Sequence, residues 1–294
     1  MQLLLAVLAL AVTVGAQTAS APTAPHPEPE LGKVAWSRDF DAALACAERE
    51  SKPVLLLFQE IPGCDTCTGF GRDVLSHPML VPAIETCFVP VVVRNNVEGK
   101  EREILKRYEE PAWNNPVVRF LDAKGKDLIA RKDRVWDAHK MAARMISALE
   151  KAHATVPGYL RIARDESDHA TETAVFEMHC FWEGEAHFGA MPGVVGTRAA
   201  FVGEAEVVEV TFLPALVAEK ELTALASAKS CKAVSVKNVR EAPAADQKHA
   251  LIGTPYEKLA LTPMQRMRVH SDLTLGSDPK RWLTPAQLLQ LRLK

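Results

Sequence analysis

No block of like charge interrupts this 294-residue chain. Its 35 Lys and Arg against 37 Asp and Glu give a formal net charge of −2 at pH 7, with both signs spread along the sequence. The missing basic stretch speaks against a nucleic-acid partner, and the missing acidic run against a solvating tail. No apolar run reaches the roughly 20 residues that cross a bilayer. Six cysteines are too few to staple a chain of this length as a disulfide scaffold. No second Cys-x-x-Cys accompanies Cys64 and Cys67, so a four-cysteine zinc site is excluded. What remains is an ordinary globular composition, 48% hydrophobic and 24% charged, on a chain long enough for two domains.

The amino-terminal residues depart from this even composition. Residues 3–14 are apolar, Val14-Gly15-Ala16 supplies the small residues a signal peptidase accepts, and residues 17–30 are rich in Pro, Ala and Thr. This pattern predicts a secretory signal over 1–16 and a flexible tether through residue 31. The expected location is periplasmic or extracellular, with no stable membrane insertion after cleavage. The segment before the apolar run has no Lys or Arg, which leaves an uncleaved anchor as the other reading.

Residues 32–153 alternate between strand-like and helix-like patterns. A helical spacing over 40–50 precedes a continuous apolar run over 53–58, expected of a strand buried on both faces. After the Cys64-Asp65-Thr66-Cys67 segment come a helix through Leu75, a strand over 88–94 and a helix over 101–108. Two strands over 117–121 and 127–131 are joined by a turn at residues 123–126. The unit closes on a helix over 137–151, with Met141, Met145, Ile146 and Leu149 on one face.

Two cysteines separated by two residues can close a small disulfide ring across the first turn of a helix. The free N–H groups and positive dipole end of that turn favour a thiolate at the first cysteine. A thiolate there attacks a disulfide, and the second cysteine resolves the mixed disulfide. Cys64 fits the attacking role and Cys67 the resolving one. Half of a zinc site is the alternative, but the nearby His77 lies ten residues beyond Cys67. Cys46 and Cys87 read as small apolar core residues.

Strand, helix, strand, helix, hairpin, helix is the order of a thioredoxin fold, and residues 32–153 resemble thioredoxin-like proteins. In that family a cis-proline loop beside the cysteine pair holds an extended substrate chain. Asn115-Pro116, immediately before the strand at Val117, stands at that place, which assigns Pro116 to substrate binding. More narrowly, Ile61-Pro62-Gly63-Cys64 resembles a bacterial thioredoxin-like (seleno)protein family with a Val-Pro-Gly-selenocysteine signature. A cysteine at the selenocysteine position implies a nucleophile.

After a mixed-charge connector over 154–172, residues 173–294 read as strand (173–178), helix (182–190), strands (194–202 and 206–213), helix (219–228) and a short strand (232–236). This order suggests a ferredoxin-like α/β layer. A helical tail follows, with Thr262-Pro263 and Thr284-Pro285 each placing proline at a first helical turn. The residues His179-Cys180-Phe181-Trp182-Glu183-Gly184-Glu185, Met191-Pro192-Gly193-Val194 and Glu204-Ala205-Glu206-Val207-Val208 resemble A-type peptide methionine sulfoxide reductases. The resemblance implies that the Cys180 thiolate attacks the sulfoxide sulfur. Phe181 and Trp182 would face the substrate methyl, and Glu206 would donate the proton. Phe201 lines the substrate site where the family has a tyrosine, and the family's downstream Asp-x-Gly-Thr-Gln-Tyr-Arg segment is not visible. Cys231 is either a resolving partner for Cys180 or a small buried residue.

The expected activity is thus thiol–disulfide exchange coupled to methionine sulfoxide reduction, with Cys64 and Cys67 recycling Cys180. The alternative is a disulfide oxidoreductase whose second domain has lost turnover and binds peptides. An external dithiol reductant and oxidised proteins or peptides are the expected partners. No metal or cofactor is expected.

Overall fold

The computed structural model describes residues 28–293, apart from 115, 230, 235 and 236. The secretory signal over 1–16 and the Asn115–Pro116 bond therefore lie outside the described residues. So does the tether as far as residue 27. Its end, however, belongs to the fold. Pro29–Leu31 forms a 3-10 turn in which Glu30 and Leu31 are buried.

The first unit runs α1 (Phe40–Glu50), β1 (Val54–Gln59), α2 (Asp65–Asp73), α3 (Leu80–Cys87), β2 (Val89–Arg94), α4 (Lys100–Arg107), β3 (Val117–Leu121) and α5 (Ala138–Lys151). The sheet order is β2-β1-β3. Strand β2 is parallel to β1 from Val54↔Val89 to Gln59↔Arg94, and β3 is antiparallel to it from Val54↔Leu121 to Phe58↔Val117. All six residues of β1 are buried, and its two-residue period divides the five apolar ones between two cores. Leu55 and Leu57 join Val92, Val118, Phe120 and the apolar faces of α2, α3 and α5. Val54, Leu56 and Phe58 join Val91, Val93 and the faces of α1 and α4. The sheet's outer positions are reduced to single bridges, Ser37↔Val91 on one side and Leu121↔Asp127 on the other. The strand expected over 127–131 is thus absent. Asp127 turns its carboxylate onto Arg119 Nη1 at 2.5 Å, and Arg131 reaches back to the buried carboxylate of Glu110.

The segment read as a connector holds a helix, α6 (Gly158–Glu166), whose charges hide a buried face of Tyr159, Leu160, Ile162 and Ala163. That face continues the α2–α3–α5 core into a second sheet. The second unit is β4 (Glu172–Glu177), α7 (Phe181–Ala190), β5 (Val194–Val202), β6 (Ala205–Phe212), α8 (Glu219–Ala228), β7 (Lys232–Val234) and β8 (Arg240–Glu241). The order β7-β4-β6-β5-β8, antiparallel throughout, is the split βαβ arrangement of a ferredoxin-like layer with one edge strand added. Helices α9 (Pro263–Leu275) and α10 (Pro285–Arg292) start at Thr262 and Thr284, each in a capping box with a glutamine. Helix α9 is more than a covering tail. Its buried Arg268 donates to the carbonyls of Gly189, Met191 and Val194 at 2.6, 3.0 and 3.0 Å, closing the end of α7 onto β5.

The 3-10 turn sits directly on α2. A Cβ added to Gly71 would lie 1.9 Å from the Pro29 carbonyl oxygen. Gly71→Ala is expected to lower stability by about 1–3 kcal/mol through overpacking, read from urea unfolding. An unchanged midpoint would mean that the turn does not seat on this helix in solution.

Candidate functional site

Helix α2 opens at Cys64, which occupies its N-cap in extended backbone geometry. Cys64 is exposed and Cys67, one turn on, is fully buried, with their sulfurs 3.8 Å apart. This is a reduced pair within reach of the 2.05 Å or so of a disulfide after a small rotation. Electrostatics separates the two sulfurs. The backbone N–H of Cys67, aimed at the Cys64 sulfur, lowers the Cys64 pKa from its ordinary value against the opposing effect of burial. Burial, followed by the hydrogen bond to Cys64 and its charge, pushes the Cys67 thiol up to about 12. The exposed sulfur is the more acidic of the two and the buried one is held as a thiol.

Alkylation tests this ordering directly. An ordinary cysteine titrates near about 8.5, so at about pH 7 labelling of the reduced native protein is expected at Cys64, with Cys67 unmodified. Because a lowered pKa means more thiolate at a given pH, the Cys64 rate should level off below the pH at which free cysteine does. Equal labelling of the two residues would contradict the ordering.

The loop before Cys64 is held from three sides. Glu30, buried, accepts the Gly63 N–H at 2.7 Å. Asn96, just beyond β2, donates to the Ile61 carbonyl at 3.1 Å and accepts the Ile61 N–H at 3.5 Å. Gln59, the last residue of β1, donates from Nε2 to the carbonyls of Glu30 and Cys67 at 2.8 and 3.3 Å. Gly63 has no room for a side chain. A Cβ there would lie 2.4 Å from the Glu60 carbonyl oxygen and 2.6 Å from Cys67 Cβ. The Ile61–Pro62 peptide is cis. Register places buried Pro116 next to the Phe58–Val117 pair, at the end of β1 that leads into this loop. Its carbonyl accepts the Trp136 indole N–H at 3.2 Å.

The second group of sequence-predicted residues gathers at one end of the five-stranded sheet. Cys180 is the N-cap of α7 and half-buried. The Phe181 N–H, in the same helical turn, donates to Glu206 Oε2 at 2.8 Å. Glu206 pairs with Phe201 across the β5–β6 hairpin. Phe181 meets the Phe201 ring edge-on at 5.4 Å and the Trp182 ring at 5.8 Å. Lys232 pairs with Glu177, so Cys231 enters the sheet beside the β4–α7 turn that carries Cys180. In this state the Cys231 thiol donates to the Lys229 carbonyl at 3.3 Å.

Sequence reasoning missed the residues that brace both sites. Glu30 fell in a segment read as tether, and Asn96 in an unassigned turn. At the second site Glu185 is fully buried and ion-paired with Lys248, whose N–H also donates to it at 3.0 Å. His249 stacks on Trp182 with ring centroids 4.0 Å apart. His270 Nδ1 accepts the Ala250 N–H at 3.3 Å, which leaves Nε2 to donate to the Trp182 carbonyl at 3.2 Å. The segment around Lys248 has no periodicity to mark it. A lysine and a histidine adjacent in sequence were the signal available.

Comparison with known proteins places the first unit in a family. A family model described as thioredoxin-like matches residues 35–123. Peptide methionine sulfoxide reductase A5 of Oryza sativa subsp. japonica is 39% identical over 66 residues, 18% of this chain and 26% of that protein. The chain thus spans about a quarter of the curated relative it matches. Among solved structures, a DsbH oxidoreductase is similar with a TM-score of 0.34 and 20% identity, over 45% of this chain and 95% of that one. A thioredoxin from Thermus thermophilus, a solution structure, is similar with a TM-score of 0.35 and 22% identity, over 39% and 87%. The chain therefore carries a thioredoxin-like unit with the Cys64–Cys67 pair at the start of one helix, joined to a second α/β unit.

Proposed function

We propose that this chain is an exported thiol–disulfide oxidoreductase whose Cys64–Cys67 dithiol recycles a methionine sulfoxide reducing site at Cys180. The carrying observation is the exposed Cys64 sulfur at a helix start, 3.8 Å from the buried sulfur of Cys67. Likeness to a selenocysteine signature at Ile61-Pro62-Gly63-Cys64 supports attack by Cys64. For sulfoxide chemistry, support comes from the partial match of this chain to the rice peptide methionine sulfoxide reductase, and for its place at Cys180 from Cys180 and Glu206 converging on the first turn of α7.

The chemistry closes as a cycle. The Cys180 thiolate attacks the sulfoxide sulfur, and Glu206 delivers a proton to the oxygen. Methionine leaves and the oxygen remains on Cys180 as a sulfenic acid. A second thiol, from Cys231 or Cys64, condenses with it, forming a disulfide and releasing water. Exchange through Cys64 and resolution by Cys67 return Cys180 to the thiol and leave a Cys64–Cys67 disulfide. An external dithiol reduces that disulfide. Carrying both sites on one chain raises the effective concentration of the recycling dithiol.

The test is sulfoxide reduction by purified wild type, Cys180→Ser and Cys64→Ser, once with a protein dithiol and once with excess small-molecule dithiol. Turnover should vanish in Cys180→Ser under both conditions. In Cys64→Ser it should vanish with the protein dithiol and return with the small one. Absence of turnover in wild type would sink the sulfoxide reading. A second reading, a peptide-binding domain without turnover, is favoured by Phe201. Its ring packs on Phe181 and under the Arg240 guanidinium at 4.8 Å, and it brings no hydroxyl to the site. Binding of a methionine sulfoxide peptide without turnover would select it. For export, support comes from the apolar run and small residues at 3–16. Mature protein retaining residue 1 would contradict cleavage.

A further inference from the structure

We propose that the reduced chain binds one zinc-class divalent cation between the sulfurs of Cys64 and Cys67 and the side-chain carboxylate of Glu60. One ligand atom from each of these three residues lies within 4.8 Å of the other two. The sulfur separation points to the ion. Two thiolates on a tetrahedral centre with Zn–S bonds of about 2.3 Å stand about 3.8 Å apart, which is the observed spacing of 3.8 Å. A linear two-coordinate thiolate centre with bonds of similar length would need about 4.6 Å. A divalent ion with no ligand-field preference for planarity fits the bent arrangement, and a carboxylate oxygen is among its ordinary ligands.

The arrangement is held in place by the fold. Cys67 is fully buried, Glu60 is half-buried and Cys64 is exposed, so the ligands rise from the interior to the surface and leave one side of the centre open. Three protein ligands with an open fourth position is the pattern of an exchangeable or reactive zinc site, where water or a partner's ligand completes the shell. The turn that carries Glu60 back over the cysteines is fixed by Gly63, whose missing Cβ lets the Glu60 carbonyl and Cys67 approach it. Asn96 and Glu30 pin the same turn through Ile61 and Gly63. The spacing of the two cysteines alone had offered only half a site. Glu60, four residues before Cys64, supplies a ligand that no cysteine or histidine count would find.

Binding balances as one cation taken up and the thiol protons of Cys64 and Cys67 released to solvent, with Glu60 entering as the carboxylate. No oxidant or reductant is involved. The same two sulfurs cannot ligate a cation and bond to each other, so the metal-bound and disulfide states exclude one another. A bound cation would hold the pair reduced and silent until it is removed. The proposal needs a reduced pair but not the sulfoxide chemistry, so the two can fail separately.

The experiment is anaerobic titration of the reduced, chelator-washed full chain with Zn²⁺ against a chromophoric competitor. Cys64→Ser, Glu60→Gln and wild type oxidised at Cys64–Cys67 are titrated in parallel. One tight site per chain is expected in reduced wild type. It should be lost in Cys64→Ser and in the oxidised protein, and weakened about tenfold or more in Glu60→Gln. The oxidised protein keeps every side chain, so its result does not depend on a variant folding. X-ray absorption should show two sulfurs at about 2.3 Å with lighter ligands at about 2.0 Å. The proposal is overturned by no tight site in reduced wild type, by a site that survives oxidation or Cys64→Ser, or by equal affinity in Glu60→Gln.

Discussion

Cys64→Ser is expected to remove disulfide reduction altogether, whereas Cys67→Ser should complete one attack and stop. The two substitutions delete the same atom one helical turn apart, yet the positions are not equivalent. Position 64 is solvent-exposed and receives a backbone N–H on its sulfur, so its thiol is accessible and ionises more readily than an ordinary cysteine. A serine hydroxyl there is not ionised near neutral pH and cannot form the mixed disulfide, so the rate should fall by several orders of magnitude, to background. Position 67 is buried, with its thiol pushed up to about 12. It becomes a competent nucleophile only after Cys64 has bonded to substrate and no longer competes for the shared proton. Without it the adduct on Cys64 persists. With a disulfide peptide in excess, Cys67→Ser should therefore show a burst of about one equivalent and no steady state. Mass spectrometry should find one peptide on Cys64, released by added dithiol. Sustained turnover in Cys67→Ser, or an adduct on any of the other four cysteines, would reverse these roles.

What made this pair legible is that its chemistry is local. A four-residue motif at a helix start fixes the sulfur spacing, the N–H donor and the difference in exposure, and all of these follow from a strand ending near residue 59 and a helix starting near 65. The strand over 117–121, apolar apart from Arg119, and helix α5, with Asp137 as its capping residue, were legible for the same reason. The second site could be read from motifs to the level of which side chains converge, since β4, β6 and the start of α7 meet at one sheet end. What stayed hidden depends on contacts distant in sequence. Glu30 reaches Gly63 across 33 residues and Asn96 reaches Ile61 across 35. Lys248 reaches Glu185 across 63. Helix α6 was obscured for a different reason: Arg161, Arg164, Asp165 and Glu166 dilute its apolar stripe, and only burial against α3 and α5 reveals the face. The lost strand over 127–131 shows the opposite error. Its residues suit a hairpin, but the Glu110 carboxylate draws Arg131 away from the sheet edge.

Replacing Lys248 with methionine is expected to lower folding stability by about 3–5 kcal/mol, the cost of leaving a buried charge without its partner. Glu185 has no exposed surface, and its carboxylate is satisfied by the Lys248 ammonium, the Lys248 N–H at 3.0 Å and the Thr197 hydroxyl at 3.4 Å. The ammonium also donates to the Thr197 carbonyl at 2.5 Å. Methionine keeps the aliphatic stem and a left-handed-tolerant backbone no worse than lysine's, so the lost group is the charge itself. The double variant Glu185→Leu/Lys248→Met removes both charges and should recover most of the loss. Urea unfolding of the four proteins in this cycle gives the coupling between the two residues. The effect reaches the second site because Glu185 lies one turn beyond Phe181, and the residue after Lys248 is the histidine stacked on Trp182. Freeing that segment uncovers the Trp182 indole, so its fluorescence should shift to longer wavelength before the thioredoxin-like unit unfolds. A single variant within about 0.5 kcal/mol of wild type would show that Lys248 is not what fixes the helix carrying Cys180.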